Sequence, residues 1–149
     1  MQYSEKVMEH FANPQNAGVI ENPDAVGEVG SVVCGDIMRI SLAIDDATET
    51  IEDIKFQTFG CGAAIAVSSV FTEMVKGLTM REALAISNDD VVAELEGLPA
   101  VKVHCSVLAE EGMAVAIQSY YDAHPDKTPP EGLAEKIEHL KSVDPHAEE

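Results

Sequence analysis

The sequence predicts an α+β domain in which a small three-stranded antiparallel sheet packs against several helices. Three observations lead there. The 149 residues, 46% of them hydrophobic, are about one domain's worth of chain and can bury a core without disulfides. Met38, Ile40, Leu42 and Ile44 alternate with Arg39, Ser41 and Asp45, the period-two pattern of a half-buried strand. From Cys61 onward the pattern changes to that of helices.

In chain order, Ser4 caps a short helix through Phe11, with Tyr3 and Met8 placed as a hydrophobic staple and Asn13-Pro14 as its stop. Gly18, Pro23, Gly27 and Gly30 break the next stretch into loop, and a first strand is expected around Glu28 to Val33. The second strand carries Met38 to Ile44, Asp45 to Glu49 turn, and the return strand runs from about Thr50 to Phe59 with Ile54 and Phe56 inward. The run from Ala63 to Val75 is too long and Ala-rich for a strand, and it ends at Lys76-Gly77 in C-cap fashion. Thr79 and Glu82 make a capping box for a short helix, and Asn88 begins another that ends near Glu96-Gly97. Leu98-Pro99-Ala100-Val101-Lys102 reads as an extended connector. A long helix follows from near Cys105 to about Tyr121, with Leu108, Ile117, Tyr120 and Tyr121 on a buried stripe, and His124-Pro125 ends it. Thr128-Pro129-Pro130-Glu131 starts a last helix, with Pro129 where a missing N–H costs nothing and Leu133, Ile137 and Leu140 on one stripe. The organisation expected is a domain over 1–124 and an acidic extension over 125–149, one helix followed by a loose tail.

Charge and hydropathy exclude whole classes of function. Against 27 acidic residues stand 9 basic ones, a net charge of −18 with only two arginines, Arg39 and Arg81, so no nucleic-acid partner is expected. The 17 uncharged residues from Phe56 to Thr72 include Gln57, Thr58, Ser68 and Ser69, too polar for a bilayer span. The start, MQYSEKVMEHF, has neither a signal peptide's cationic-then-apolar order nor a transit peptide's Arg-rich character, which points to the cytoplasm or a processed organellar product.

Three cysteines, Cys34, Cys61 and Cys105, are an odd number at wide spacing, which argues for reduced thiols. The bland alternative is three small buried hydrophobes. Their surroundings favour chemistry. Each sits at an element boundary, where ligands can converge. A thiol in a helix's first turn meets unpaired N–H groups and the positive end of the dipole, which favours the thiolate, and Cys61 and Cys105 both qualify. Gly35 lets the backbone turn so that Cys34 and Asp36 can face one space, and His104 adds an imidazole beside Cys105. Gly60 and Gly62 strip bulk from around Cys61, which admits a cluster or a partner's persulfide. Three thiolates, one carboxylate and one imidazole suffice for tetrahedral zinc or for a 2Fe-2S cluster, which needs four ligands. An oxygen or nitrogen as fourth ligand holds a cluster less firmly than a fourth thiolate, which suits transfer rather than storage. Outside this set, His10, His124, His139 and His146 lack ligand-rich neighbours and are expected at the surface. Met8, Met38, Met74, Met80 and Met113 are expected as core filler.

Separations of 27 and 44 residues between the cysteines match no simple zinc motif. The segments YSEKVMEHFANPQNAG, VCGDIM, FGCGAAIA and LPAVKVHCS, in this order, resemble the signature blocks of the iron–sulfur cluster assembly scaffold family of the IscU/NifU N-terminal type, over roughly Tyr3 to Tyr121. The resemblance implies an α+β domain with a three-stranded antiparallel sheet, and a site made by Cys34, Asp36, Cys61, His104 and Cys105. It also implies a scaffold rather than a conventional enzyme. In the family, a pyridoxal-phosphate (PLP)-dependent cysteine desulfurase delivers persulfide sulfur, iron enters, and a 2Fe-2S cluster is built and passed to apo iron–sulfur acceptor proteins. By position, Cys105 resembles the principal sulfur acceptor, and Asp36 the carboxylate that admits iron and makes the cluster releasable. His104 is read as a ligand or a proton handler against the alternative of a packed or surface histidine, and Lys102 either as a solvated charge or as one that attracts thiolates or steers persulfide. The family's chaperone-recognition segment commonly reads Leu-Pro-Pro-Val-Lys. Here Leu98, Pro99, Ala100, Val101 and Lys102 stand instead, and the replacement by Ala100 loosens the strand and weakens the expectation of an Hsp70-type chaperone. Gln15 likewise replaces an Arg common in the first block. The resemblance leaves the oligomeric form open, a homodimer included.

Two rivals use the same residues. One is a zinc-dependent sulfur-transfer partner of the desulfurase, the SufU type, which carries an insertion between its second and third cysteines and lacks the His before the last one. His104 and the 44-residue separation argue against it, although zinc can occupy the same ligands. The other is a cysteine hydrolase using Cys105, His104 and Asp36. Adjacent residues at a helix start do not naturally meet as nucleophile and base.

Overall fold

The computed structural model describes residues 5–31, 36–59, 62–94 and 104–143. Its sheet is three-stranded and antiparallel in the order β1 (Ala25–Ser31), β2 (Asp36–Asp45), β3 (Thr50–Phe59). The alternation in β2 does what its pattern requires: Met38, Ile40, Leu42 and Ile44 are buried on one face. Opposite them in register stand Val29, Gly27 and Ala25 of β1 and, in β3, Phe56 and Ile54. In β3 the buried residues are Ile51, Ile54 and Phe56, an interval of three and then two. The break comes from a register shift between Ala43 and Ile44, which pair with Asp53 and Ile51 and leave Glu52 as the extra residue.

The sequence reading differs from the fold at identifiable places. β1 begins at Ala25 rather than near Glu28, and Gly27 and Gly30 lie inside it instead of breaking it. Ser41 shares the outward parity of Arg39 yet is buried, between its cross-strand neighbours Val26 and Lys55. The free edge of β3 is covered. Asn16 and Gly18 exchange backbone hydrogen bonds with Phe56, and Ile51 N–H donates to Leu78 O while Gly77 N–H donates to Ile51 O.

α2 (Gly62–Val75) explains the uncharged run in the sequence, because Ala66 to Thr72 are all buried, serines and threonine included. Gly77, at φ 91°, follows it where an αL residue is wanted. Thr79 and Glu82 form the expected capping box of α3 (Met80–Leu84). At α4 (Asn88–Glu94) it is Ser87, not Asn88, that makes the reciprocal cap: Ser87 N–H donates to Asp90 Oδ2 and Asp90 N–H donates to Ser87 Oγ. α5 (His104–Ala123) lies on β1 and β2 and against α2. It is buried almost all round from Ala109 to Tyr121, acids Glu110 and Glu111 included, as a central helix must be.

α1 (Glu5–Ala12) packs on α2. Met8 is 52% exposed rather than core filler. His10 is not a free surface group. Its Nδ1 lies 2.7 Å from Ser69 Oγ, which also accepts from Gln15 N–H at 2.8 Å. His124 is half-buried, stacked on Tyr120. The last helix, α6 (Leu133–Val143), starts later than Thr128 because Gly132 at φ 87° turns the chain just before it. Leu133 and Ile137 face the core, and Lys136 Nζ reaches the carbonyls of Leu84 and Ile86 and, at 2.9 Å, the buried Glu110 carboxylate.

Candidate metal centre

Two pairings define one end of the sheet. Ser31 at the end of β1 faces Asp36 at the start of β2, and Ile37 faces Phe59 at the end of β3. Gly62 opens α2 three residues later. The β1–β2 connection and the β3–α2 junction therefore leave the sheet at the same end.

The direction of α5 follows from its other end. Tyr120 donates its hydroxyl to Asp46 Oδ1 at 2.5 Å, and Tyr121 donates to Glu49 Oε1, so the carboxy-terminal turns of α5 are fastened to the β2–β3 turn at the far end of the sheet. Burial, and then the hydrogen bond to each acid, raises both phenols above their ordinary range and keeps them donors. Midway along α5, Gly112 lies against Val29, Met38 and Ile40. The amino-terminal turn, which His104 and Cys105 begin, therefore runs toward the end that holds Asp36 and Gly62.

Of the residues predicted for the site, Asp36 is the first residue of β2, Gly62 the first of α2, and His104 and Cys105 the first two of α5. Their side chains lie outside the described set. Cys34, Gly35, Gly60 and Cys61 lie outside the described residues, as do Leu98, Pro99, Ala100, Val101 and Lys102. Among the described residues no three His, Cys, Asp or Glu side chains gather closely enough to hold a metal ion. Nor is any described helix long and apolar enough to cross a membrane.

A cleft of about 390 Å³ lies elsewhere among the described residues, between α1 and α2, with Lys6, His10, Gln15, Glu73 and Glu94 in its wall. Ser69 Oγ and, at 3.5 Å, Glu73 Oε1 both approach the same ring nitrogen of His10. A nucleophile–base–orienter line needs the two partners on opposite nitrogens, so this group is a clasp between helices.

The family model described as NifU-like N terminal domain matches residues 2–126. The chain belongs to that family. Among its relatives, the iron-sulfur cluster assembly scaffold protein IscU 1 of Archaeoglobus fulgidus is 49% identical over 150 residues, covering 98% of this chain and 97% of that protein. The IscU scaffold protein of Haemophilus influenzae is 50% identical over 123 residues, 80% of this chain and 96% of that one. α6 thus lies beyond the family match. Among solved structures, the N-terminal part of a nitrogen-fixing NifU-like protein from Brucella abortus superposes with a TM-score of 0.63 at 20% identity, over 80% of this chain and 94% of that one. A candidate scaffold of the SUF system from Fervidobacterium islandicum gives 0.62 at 24% identity, over 76% and 95%. These two likenesses establish the α+β fold of the NifU-like N-terminal family and, at such identities, nothing finer.

Proposed function

We propose that the chain is a scaffold on which an iron–sulfur cluster is assembled and from which it is passed on, the cluster being cargo. One observation supports the reading: Asp36 and Gly62 lie at one end of the sheet, α5 starts on the side of that end, and Cys34 and Cys61 are within two residues of Asp36 and Gly62 in sequence. Names of relatives near 50% identity support it.

In this reading Cys34, Cys61 and Cys105 supply thiolates, and Asp36 or His104 supplies the fourth ligand of a 2Fe-2S cluster. Cys105 takes sulfur from the persulfide of a PLP-dependent cysteine desulfurase. Its thiolate attacks the outer sulfur, the new S–S bond forms on Cys105, and the desulfurase thiolate leaves. The four N–H groups left unpaired at the start of the 20-residue α5 favour the attacking thiolate. Asp36, a hard oxygen donor, exchanges readily, admits iron and makes release fast. Apo iron–sulfur proteins receive the cluster, zinc competes for the same ligands, and the protein turns over no substrate of its own. The segment Leu98 to Lys102 serves as a partner-docking strand, and residues 125–149 form an extension to the scaffold domain.

The test is anaerobic incubation with ferrous iron, cysteine and a desulfurase, followed by addition of an apo-ferredoxin. Visible sulfur-to-iron charge-transfer absorption that moves to the ferredoxin is the expected result. A colourless chain that returns all its iron on gel filtration contradicts the proposal.

A further inference from the structure

We infer that Gly27 is a positioning residue for the candidate metal centre: its missing side chain sets the distance between the helix that carries Cys105 and the strand that carries Asp36. The inference rests on the scaffold reading of that site.

The contact is between backbones. A Cβ built on Gly27 meets Gly112 O at 2.3 Å, Ala116 N at 2.4 Å and Ala116 Cα at 2.9 Å. Real carbon contacts need about 3.5 Å, so any side chain at 27 forces α5 and β1 apart by about 1 Å. None of the three obstructing atoms is a side-chain tip that can swing away.

The consequence falls on the site because both ligand-bearing ends extend from this pivot in the same direction. Gly27 pairs with Ile40, and Asp36 lies four residues before Ile40, about 13 Å along β2. Cys105 lies seven residues before Gly112, about 10 Å along α5. The two elements are rigid over those lengths, so a gap opened at the pivot reaches the ligands nearly undiminished. Metal–ligand distances tolerate about 0.2 Å, several times less than the forced shift. Gly112 supplies a graded comparison, because a Cβ there meets Ile40 Cδ1 and Met38 Cγ at 3.3 Å, side-chain atoms that can give.

Anaerobic cobalt(II) chloride titration of the full chain tests this, reading thiolate-to-cobalt charge transfer and the ligand-field bands. Wild type, Gly27→Ala, Gly112→Ala and Ile51→Val are compared, the last a core-trimming control in β3, below the melting temperature of each. Gly27→Ala is expected to bind cobalt at least about tenfold more weakly, with altered ligand-field bands, Gly112→Ala to fall between, and the control to match wild type. Should Gly27→Ala not fold, weakened binding by Gly112→Ala relative to the control carries the inference, and unchanged binding overturns it. Wild-type affinity and bands in a folded Gly27→Ala overturn it also, as does an equal loss in the control. Absence of any thiolate band in wild type instead refutes the site reading on which the inference stands.

Discussion

Asp36 concentrates the proposed chemistry at a single side chain. The alternating pattern starts the strand at Met38, and the structure extends it back to Asp36, the first residue of β2. Asp36→Ala is expected to hold its cluster several-fold longer than wild type under chelator challenge, because the exchangeable oxygen donor is gone. Equal or shorter lifetimes would remove that role from Asp36. Other residues differ from the sequence expectation for a common reason: sequence shows polarity but not what lies across space. His10 looked like a surface imidazole until Ser69, 59 positions away, met it. Gly27 looked like a loop breaker, because nothing local announces that a helix backbone from residues 112–116 will rest on it.

At the scale of elements, α5 is fixed at its carboxy-terminal end by two phenols. The structure raises both above the ordinary tyrosine value, so folding favours their protonated forms. Their contribution is complete below about pH 10 and is lost as pH rises beyond the unfolded value. Ultraviolet titration should find two of the three tyrosines ionising later than free tyrosine, with stability falling in that range. Three phenols titrating together near the free value would mean that α5 is not anchored to the β2–β3 turn. α6 hangs on Lys136, one-fifth exposed, paired with a Glu110 carboxylate that is 7% exposed. Lys136→Met is expected to cost about 3 kcal/mol in urea unfolding, and adding Glu110→Met should recover a large part of it. The helix itself could be read from Leu133 and Ile137. Its start could not, because prolines at 129 and 130 suit a first turn and only the positive φ of Gly132 delays it. The strands were legible in β2, where alternation is unbroken, and less so in β1, whose inward positions are small and give no alternating signal.

For the molecule as a whole, the sequence carries two separable messages. Local periodicities yield the sheet and helices, and ordered blocks around the three cysteines yield the family. Neither states that those blocks meet. The proposal that they do rests on strand register and on the direction of α5, which is fixed by contacts between residues more than 70 positions apart. The central claim, that the sulfurs of Cys34, Cys61 and Cys105 share one site, is open to direct measurement. The native, metal-free chain can be treated with a trivalent aryl arsenical, which bridges only thiols in contact, and the bridged peptides identified by mass spectrometry. Bridges between all three cysteine pairs are the expected result; single-thiol adducts alone, with no bridged pair, would contradict the account.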